Sequence, residues 1–165
     1  MKRSQGAGVK NSTALDLVKI ALRRAQPVDY GLARQIYAMA MRDLVEQAFG
    51  WNEYRQDLSF ARQYVQSEVR IITLNGRDIG WLQTRVVGPT LHLFQFYIAP
   101  AWQNRGLGRL ILKRLLAQAD RQGRDVALSV MKENRARQLY ERHGFRITHE
   151  DRYKVYMRTI SSNRR

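Results

Sequence analysis

The stretch QNRGLG, residues 103–108, decides the fold because it lies between an extended apolar run and a long amphipathic segment. The run before it, residues 91–98, reads LHLFQFYI and is apolar and aromatic, as a buried strand requires. Pro100 ends that strand, because proline has no N–H group for a ladder and disfavours helical geometry at the residue before it. The segment after it, RLILKRLLAQADRQG, has apolar residues at helical spacing. A strand therefore turns into a helix at two glycines.

This turn is predicted to be an anion site. Where a strand bends tightly into a helix, backbone N–H groups point outward at the positive end of the helix dipole. Such a turn suits phosphate, and Arg105 and Arg109 add positive charge around it. The alternative is a purely structural turn, since the stretch is neither a Gly-x-x-x-x-Gly-Lys-Ser/Thr loop nor a complete three-glycine dinucleotide fingerprint.

A second motif follows the glycine turn, at residues 134–145, which read NRARQLYERHGF. With this pair of motifs the chain closely resembles the GCN5-related N-acetyltransferase (GNAT) superfamily. The cofactor motif of that family is Gln/Arg-x-x-Gly-x-Gly/Ala after a strand ending in Val/Ile-x-Pro, and its later motif runs from an asparagine through Leu-Tyr to Gly-Phe. The resemblance extends from about Leu17 to Met157, nearly the whole chain.

The predicted fold class is α+β. The resemblance implies a GNAT-type mixed, mostly antiparallel central sheet of about seven strands, splayed between strands four and five and flanked by about four helices. The patterns along the chain predict the order βααβββαβαββ. They place a helix from an N-cap at Asp29 to about Phe49, a second helix over about 51–66 and a hairpin turn at Asn75-Gly76.

Length and composition limit the class of protein. A chain of 165 residues can form one domain with its own core. There is no cysteine, which excludes disulfides, a thiol nucleophile and a thiolate metal site, and the three histidines lack metal-ligand spacing. We therefore expect no metal. The apolar stretches are too short to cross a bilayer, so we expect no membrane partner and a cytoplasmic protein.

One domain with short extensions is predicted. Residues 1–14 are basic and polar and are expected to form a flexible tail. Residues 15–160 are expected to form a single acetyltransferase domain, and residues 161–165 a second flexible tail. Neither a repeat nor an internal linker interrupts the domain. A homodimer is possible, because dimers are common in the family that the chain resembles.

The net charge of +15 is high and unevenly distributed. Residues 101–165 carry a net charge of +10, so the excess lies in the half with the glycine turn. It could attract a polyanionic cofactor, contact nucleic acid or the ribosome, or merely keep the protein soluble, and the dispersed basic residues favour none of these strongly. A nucleic-acid partner is possible but not favoured. Binding to oligonucleotides that falls steeply with added salt would indicate one.

The resemblance implies acetyl-coenzyme A (acetyl-CoA) as the cofactor and assigns residues to it. The N–H groups of the glycine turn hold the pyrophosphate, and the pantetheine arm lies where strand 91–98 splays from strand 125–130. Backbone at Tyr97 and Ile98 pairs with that arm and polarises the thioester carbonyl. Asn134 matches a cofactor-contacting asparagine, although it could equally be an N-cap. The predicted cofactor-binding residues are Tyr97, Ile98, Gln103, Asn104, Arg105, Gly106, Leu107, Gly108, Arg109, Asn134 and Tyr140.

Two residues are candidates for proton transfer. Tyr140 matches the family tyrosine whose hydroxyl protonates the departing thiolate, and its alternative is a place in the core. His92 stands where histone-type members have a catalytic glutamate, and histidine titrates near neutrality, so it could deprotonate the amine. The alternative is a structural histidine on the strand, in which case Gln95 could hold a water that takes the proton.

The sequence therefore predicts an N-acetyltransferase that moves the acetyl group of acetyl-CoA to a primary amine of a small molecule in a ternary complex. A peptide or protein amine is the alternative acceptor, and a catalytically inactive basic module that binds nucleic acid or the ribosome is the alternative from another class. The acceptor is expected between the first two helices and the closing strands. Residues that could line it, or could be core, are Tyr37, Met41, Trp51, Tyr54, Gln95, Tyr153 and Tyr156.

Overall fold

The computed structural model describes residues 19–164, and these form one seven-stranded sheet with helices on both faces. The strands are β1 (Ile20–Arg24), β2 (Val69–Leu74), β3 (Arg77–Val87), β4 (Thr90–Ile98), β5 (Asp125–Met131), β6 (Arg146–Glu150) and β7 (Lys154–Thr159). Their order in the sheet is β1-β2-β3-β4-β5-β7-β6, and only β4 and β5 are parallel neighbours. The helices are α1 (Asp29–Phe49), α2 (Glu53–Gln63), α3 (Leu107–Arg121) and α4 (Ala136–Arg142).

This architecture confirms the predicted α+β class, the mixed seven-stranded sheet and the four helices. The predicted hairpin is also confirmed, since Leu74 and Arg77 lie opposite each other on either side of Asn75 and Gly76. Both turn residues have positive φ, at 50° and 81°, which is the geometry that Asn-Gly favours. The predicted tail at 1–14 and the predicted start of the domain at 15–18 lie outside the described residues.

The start of α1 differs from the prediction in the role of Asp29. Asp29 is the first residue of the helix rather than its N-cap, and Val28 stands at the cap position without a side-chain bond. The Asp29 carboxylate instead accepts the Gln26 backbone N–H at 2.7 Å and both terminal nitrogens of Arg23 at 2.8 Å. Arg23 also binds Asp78 at 2.7 Å, so this network joins β1, the start of α1 and β3.

The second helix is shorter than predicted, because its N-cap is Asn52, the residue after Trp51. Asn52 accepts the Arg55 backbone N–H at 2.9 Å with its side chain, which satisfies one of the free donors at the start of α2. The helix ends at Gln63, where Tyr64 turns to extended geometry. The loop between α1 and α2 is therefore only three residues long, residues 50–52, and it holds Trp51 close to both helices.

Apolar side chains pack on both faces of the sheet. On one face α3 and α4 cover the larger core, in which Leu112 and Phe145 are almost fully buried. On the other face α1 and α2 cover β2, β3 and part of β4, around Trp81. The indole N–H of Trp81 donates to the Ala33 carbonyl at 3.0 Å, which ties α1 to the sheet. We call this second side, under α1 and α2, the acceptor face.

The parallel strands β4 and β5 pair only over their first halves. Residues from Thr90 to Leu93 lie opposite residues from Asp125 to Leu128, and the pairing stops there. Beyond that point β4 continues beside β3, and β5 continues beside β7. The second half of β4 and the end of β5 therefore diverge and leave a gap, as predicted.

A β-bulge at Phe94 decides which side chains of β4 reach which face. Gln95 lies opposite Gln83 and Leu93 lies opposite Thr84, so Phe94 is the extra residue. An inserted residue shifts the alternation of the strand by one position. Before the bulge Leu93 faces the larger core, whereas after it Tyr97 reaches the acceptor face.

The chain that follows β7 packs against the end of α3. Ser161 donates its backbone N–H to Asp125 at 2.9 Å and its hydroxyl to Asp120 at 2.7 Å. Ser162 donates its backbone N–H to the same Asp120 carboxylate at 2.7 Å. Residues 161–163 were expected from the sequence to be part of a tail, and the domain limit at residue 160 stays a prediction.

Candidate active site

The glycine turn exposes a row of backbone N–H groups. Asn104 and Gly106 have positive φ, at 58° and 76°, and these angles bend the chain sharply into α3. The first hydrogen bond of the helix runs from the Leu110 N–H to the Gly106 carbonyl at 3.1 Å. The N–H groups of residues 104–109 have no acceptor within residues 19–164, so they are free to bind an external anion.

The charge around the turn is positive. Arg105 and Arg109 are exposed, and the first turn of α3 has no acidic residue to compete for the N–H groups. The Arg105 guanidinium lies 5.0 Å from the ring centroid of Trp102, which restrains its position beside the turn. Gln103 supports the turn from below, since its side-chain amide donates to the Ile98 carbonyl at 2.8 Å. The geometry and charge both fit a phosphate group.

The hydrogen bonds of β4 identify which N–H groups face the gap. The Ala99 N–H donates to the Ile79 carbonyl at 2.8 Å, so Ala99 directs its N–H to β3. Directions alternate along an antiparallel pair, and Tyr97 therefore also directs its N–H to β3. Phe96 and Ile98 direct theirs into the gap. Ile98 was named from the sequence as a cofactor-binding residue and Phe96 was not, whereas the N–H group of Tyr97, which was also named, is directed to β3.

Asn134 lies at the turn between β5 and α4, beside the gap. Its side-chain oxygen accepts the Ala136 backbone N–H at 2.9 Å, which is the capping role considered from the sequence. The amide N–H₂ of Asn134 has no partner among the described residues, so it remains available as a donor. Both roles proposed for this asparagine are therefore compatible.

Tyr140 is buried on α4 with an uncommitted hydroxyl. Its side chain is only 6% exposed and packs edge-on against Phe145, with ring centroids 5.6 Å apart. Within residues 19–164 the hydroxyl has no hydrogen-bond partner. Burial raises the pKa of Tyr140, so the phenol keeps its proton throughout the neutral range. Tyr140 is therefore a protonated donor whose hydroxyl is not bonded to any other described residue.

On the acceptor face, Tyr97 and Tyr37 stand together with their hydroxyls bonded to glutamines. Their rings meet edge-on with centroids 5.7 Å apart. Tyr97 donates its hydroxyl to the Gln95 side-chain oxygen at 2.5 Å, and Tyr37 donates to the Gln56 side-chain oxygen at 2.5 Å. Burial raises the pKa of Tyr97, and the neighbouring Tyr37 and Tyr140 hydroxyls raise it further.

The other predicted acceptor residues fall into separate groups. Trp51 lies near Tyr37, with ring centroids 6.2 Å apart. Tyr153 packs against Phe49 at 4.5 Å, which joins the end of α1 to the turn between β6 and β7. Tyr156 stacks on His149 at 4.2 Å, farther along the sheet. Tyr54 is 72% exposed on α2, Met41 is half-buried on α1, and the structure does not bring either to this cluster.

His92 lies on the acceptor face because of the bulge. It precedes Phe94, and its side chain is on the opposite side of β4 from that of Leu93. Its ring stacks on Phe94 with centroids 5.8 Å apart, and Arg85 lies opposite it on β3. Without the bulge His92 and Tyr97 would be on different faces. His92 is half-buried and five positions before Tyr97 on the strand.

Two further features concern metals and membranes. Within residues 19–164 no group of three or more histidine, aspartate or glutamate side chains is arranged to hold a metal ion. In the same part of the chain no helix has the length and hydropathy that a membrane crossing needs.

Comparisons with known proteins agree with this geometry. Residues 31–161 match the model of the acetyltransferase (GNAT) domain family. The PaiA N-acetyltransferase from Thermoplasma acidophilum, solved in complex with coenzyme A, is similar in structure with a TM-score of 0.70 at 13% identity, over 86% of this chain and 99% of that one. The ribosomal-protein-S18-alanine N-acetyltransferase from Escherichia coli is similar with a TM-score of 0.64 at 23% identity, over 87% of this chain and 95% of that one.

A third solved structure, YncA from Salmonella typhimurium with its cofactor acetyl-CoA, is similar with a TM-score of 0.57 at 24% identity, over 87% of this chain and 95% of that one. A search of curated proteins finds no significant match. The family model covers most of the chain, so the protein belongs to the GNAT acetyltransferase family. It is therefore an acyltransferase, and two of the similar proteins were solved with coenzyme A or acetyl-CoA bound.

Proposed function

We propose that this enzyme transfers the acetyl group of acetyl-CoA to the primary amine of a small molecule by direct attack in a ternary complex. The observation that carries the choice of acceptor is the contact between Phe49 and Tyr153, at 4.5 Å between ring centroids. It links the end of α1 to the turn between β6 and β7 at one end of the acceptor face. A link across that end leaves less room for an extended peptide and so favours a compact acceptor.

The cofactor is held by backbone more than by side chains. The free N–H groups of residues 104–109 bind its pyrophosphate, with charge from Arg105 and Arg109. Phe96 and Ile98 offer their N–H groups to the part of the molecule in the gap, and the amide of Asn134 offers another donor. Bound acetyl-CoA supplies the acetyl group as a thioester.

The reaction requires one proton to leave the acceptor and one to reach the thiol. The acceptor amine forms an amide bond to the acetyl carbon while the carbon–sulfur bond breaks, and coenzyme A leaves as a thiol. Tyr140 donates the proton that the sulfur takes up, because its hydroxyl is protonated and uncommitted. The N–H group of Phe96 stabilises charge that develops on the carbonyl oxygen. The amine proton passes to His92 or to water held by Gln95.

The predicted cytoplasmic location belongs to the same proposal. Acetyl-CoA is a large polyanion that does not cross membranes unaided, and cells form and consume it in their interior. An enzyme that depends on it is therefore expected in the compartment that supplies it.

The test is a coenzyme A release assay with n-butylamine, spermidine, kanamycin and short peptides with free N-termini. Since the chain has no cysteine, a thiol reagent reports only released coenzyme A. We expect at least one small amine to give a kcat/KM about tenfold or more above that of every peptide, equivalent to ~1.4 kcal/mol. A peptide preferred over all small amines would overturn the acceptor class proposed.

A further inference from the structure

Two tyrosine–glutamine pairs on the acceptor face have a defined hydrogen-bond polarity. The Tyr97 hydroxyl donates to the Gln95 side-chain oxygen, and the Gln95 amide N–H₂ donates to the Gln63 side-chain oxygen at 3.0 Å. The Gln63 N–H₂ in turn donates to the Ser59 hydroxyl at 2.9 Å. Each of the two amides has its oxygen toward one neighbour and its nitrogen toward the next, so both accept one hydrogen bond and donate another.

Tyr37, on α1, also has its hydroxyl bonded to a glutamine. Its hydroxyl donates to the Gln56 side-chain oxygen, and its ring meets that of Tyr97 edge-on. Both tyrosines are half-buried residues on the acceptor face. Burial raises the pKa of Tyr37 as well as that of Tyr97, and both phenols are neutral at physiological pH.

A phenol that has committed its proton can only accept further hydrogen bonds. The glutamine oxygens take the one proton that each hydroxyl has, and the remaining lone pairs of both oxygens are open. Such oxygens bind an N–H donor well, whereas they present no proton to an ether or ester oxygen. A primary amine has two N–H groups besides its lone pair. Two acceptors on one side of the nitrogen would leave that lone pair free to point elsewhere.

We infer that the hydroxyl oxygens of Tyr37 and Tyr97, polarised by Gln56 and Gln95, form the subsite that holds and orients the N–H groups of the acceptor amine. The inference rests on the proposed function, since it names how the amine of that reaction is recognised. Both tyrosines act as positioning residues. Tyr97 is next to Phe96 and Ile98, whose backbone N–H groups point into the gap between β4 and β5.

Two coenzyme A conjugates test the inference without turnover. One has n-butylamine joined through an amide to an S-acetyl linker, and the other has n-butanol joined to the same linker through an ester. They differ at one position, where the ester has an oxygen in place of the amide N–H. By calorimetry we expect wild-type protein to bind the amide about fivefold to tenfold more tightly, the effect of one hydrogen bond. Equal affinity of the wild-type protein for the two conjugates would overturn the inference.

Matched variants separate the hydroxyls from the rings. Tyr37→Phe with Tyr97→Phe should bring the amide-to-ester ratio to within about twofold of unity. Tyr64→Phe is the control, because Tyr64 lies in the same aromatic cluster, stacked on Phe60 at 5.4 Å, and its buried hydroxyl has no partner in the described chain. It should keep the wild-type ratio. A double variant that binds coenzyme A normally and keeps the preference would refute the subsite.

Gln95→Leu tests the polarity itself. It leaves the Tyr97 ring and hydroxyl in place but frees the phenol proton to meet the ester, so the amide-to-ester ratio should fall. A purely structural Tyr97 would leave the ratio unchanged. If the conjugates show the preference while no small amine is acetylated, the subsite stands and the proposed function fails. If amines are acetylated without any preference, only the subsite fails.

Discussion

Tyr140 is a buried residue whose hydroxyl is the proposed proton donor of the reaction. Its pKa is raised by burial and its hydroxyl is uncommitted, so it stays a proton donor over the working pH range. We expect Tyr140→Phe to lower kcat by at least about tenfold, since general acid catalysis typically contributes ~10²–10⁴-fold. The affinity for acetyl-CoA, measured by calorimetry, should change little. The matched control is again Tyr64→Phe, which removes a buried hydroxyl from the other face.

The raised pKa of Tyr140 also predicts the shape of the pH dependence. A group that must be protonated to act is lost only as pH rises through its pKa, and here that pKa is above the usual value for tyrosine. Activity should therefore not decline because of Tyr140 anywhere in the neutral or mildly alkaline range. A near wild-type kcat for Tyr140→Phe, in an assay limited by chemistry, would assign this residue to the core.

His92 provides a test of the base. If it accepts the amine proton, the profile of kcat/KM against pH should have a rising limb that depends on the imidazole. His92→Gln should remove that limb and slow turnover near neutral pH. High pH should partly restore activity, because more of the amine is then already neutral.

The comparison variant for His92 is Gln95→Leu, which changes the neighbouring side chain on the same face without removing the imidazole. It should retain the acidic limb of the profile. An unaltered profile in His92→Gln would make the histidine structural, and the proton would then leave through water.

At the scale of elements, the join between β4 and α3 depends on the left-handed backbone of Gly106. Its φ of 76° suits glycine, and asparagine and aspartate tolerate that region better than other residues. We expect Gly106→Asp to weaken acetyl-CoA binding by ~3 kcal/mol or more through added repulsion and lost hydrogen bonds. Gly106→Asn, which has the same shape without the charge, should lose clearly less when both are measured by calorimetry.

Gly108 provides the second comparison in this turn. A Cβ at this position would lie 3.6 Å from Ile98 Cδ1, an ordinary contact, so Gly108→Ala should fold and bind nearly as the wild type does. A folded Gly106→Asp protein with unchanged affinity would contradict the assignment of a phosphate site.

The pairing of β3 with β4 beside the gap requires Gly80. A Cβ there would lie 2.3 Å from the Tyr97 carbonyl oxygen, so the strands would have to separate. We expect Gly80→Ala to lower the free energy of unfolding by about 1–3 kcal/mol and to weaken acetyl-CoA binding, because Phe96 and Ile98 would move. Urea unfolding and calorimetry measure the two effects.

The control for Gly80 is Gly31→Ala in α1, where a Cβ would meet no atom within 4 Å. Its stability should be unchanged or higher by up to about 1 kcal/mol. Equal stabilities for Gly80→Ala and Gly31→Ala would show that β3 can move away without cost.

At the scale of the whole molecule, the Arg23 network joins the first strand, the first helix and the third strand. Asp29 is almost fully buried, and the Arg23 guanidinium holds the pKa of that carboxyl below its usual value. We expect Arg23→Met to lower the free energy of unfolding at neutral pH by about 1–3 kcal/mol, less than for a fully buried pair, because the Arg23 side chain is 37% exposed.

The sign of the pH dependence follows from the lowered pKa of Asp29. Its stabilising contribution is fully present above the unfolded value of about 3.9 and is lost as pH falls through the lower folded value. The gap between wild type and Arg23→Met in urea unfolding should therefore narrow in acid, below about pH 4. Arg24→Met removes an exposed arginine that has no ion pair among the described residues, and it should match wild type at every pH.

Local patterns were enough to predict much of this molecule. The Asn-Gly hairpin, the strand before Pro100 and the helix after the glycines depend on backbone preferences within a few residues, and the structure has all three. The family motifs likewise predicted the gap between β4 and β5. The hairpin, the strand and the helix are readable because each depends on neighbours in the chain.

Only the tertiary structure determined which side chains of β4 lie on the acceptor face and which of its N–H groups point into the gap. The bulge at Phe94 arises from pairing with β3, and no pattern in LHLFQFYI indicates it. It brings His92 and Tyr97 to the same face. The direction of the Phe96 N–H into the gap follows from the same pairing, because an antiparallel partner sets which N–H groups remain free.

The hydrogen-bond partners of buried polar groups could not be predicted from the sequence either. Asp29 has the form of an N-cap in the sequence, yet Arg23 and Gln26 take its carboxylate. Tyr37 bonds to Gln56, which only the packing of α2 beside α1 brings close, and the Gln95 amide that receives the Tyr97 proton is bonded in turn to Gln63 of α2. Spacing along the chain determined the elements and the cofactor turn, whereas contacts between distant segments determined the orientation of the groups that meet the amine, because hydrogen-bond direction depends on atoms that the local sequence does not contain.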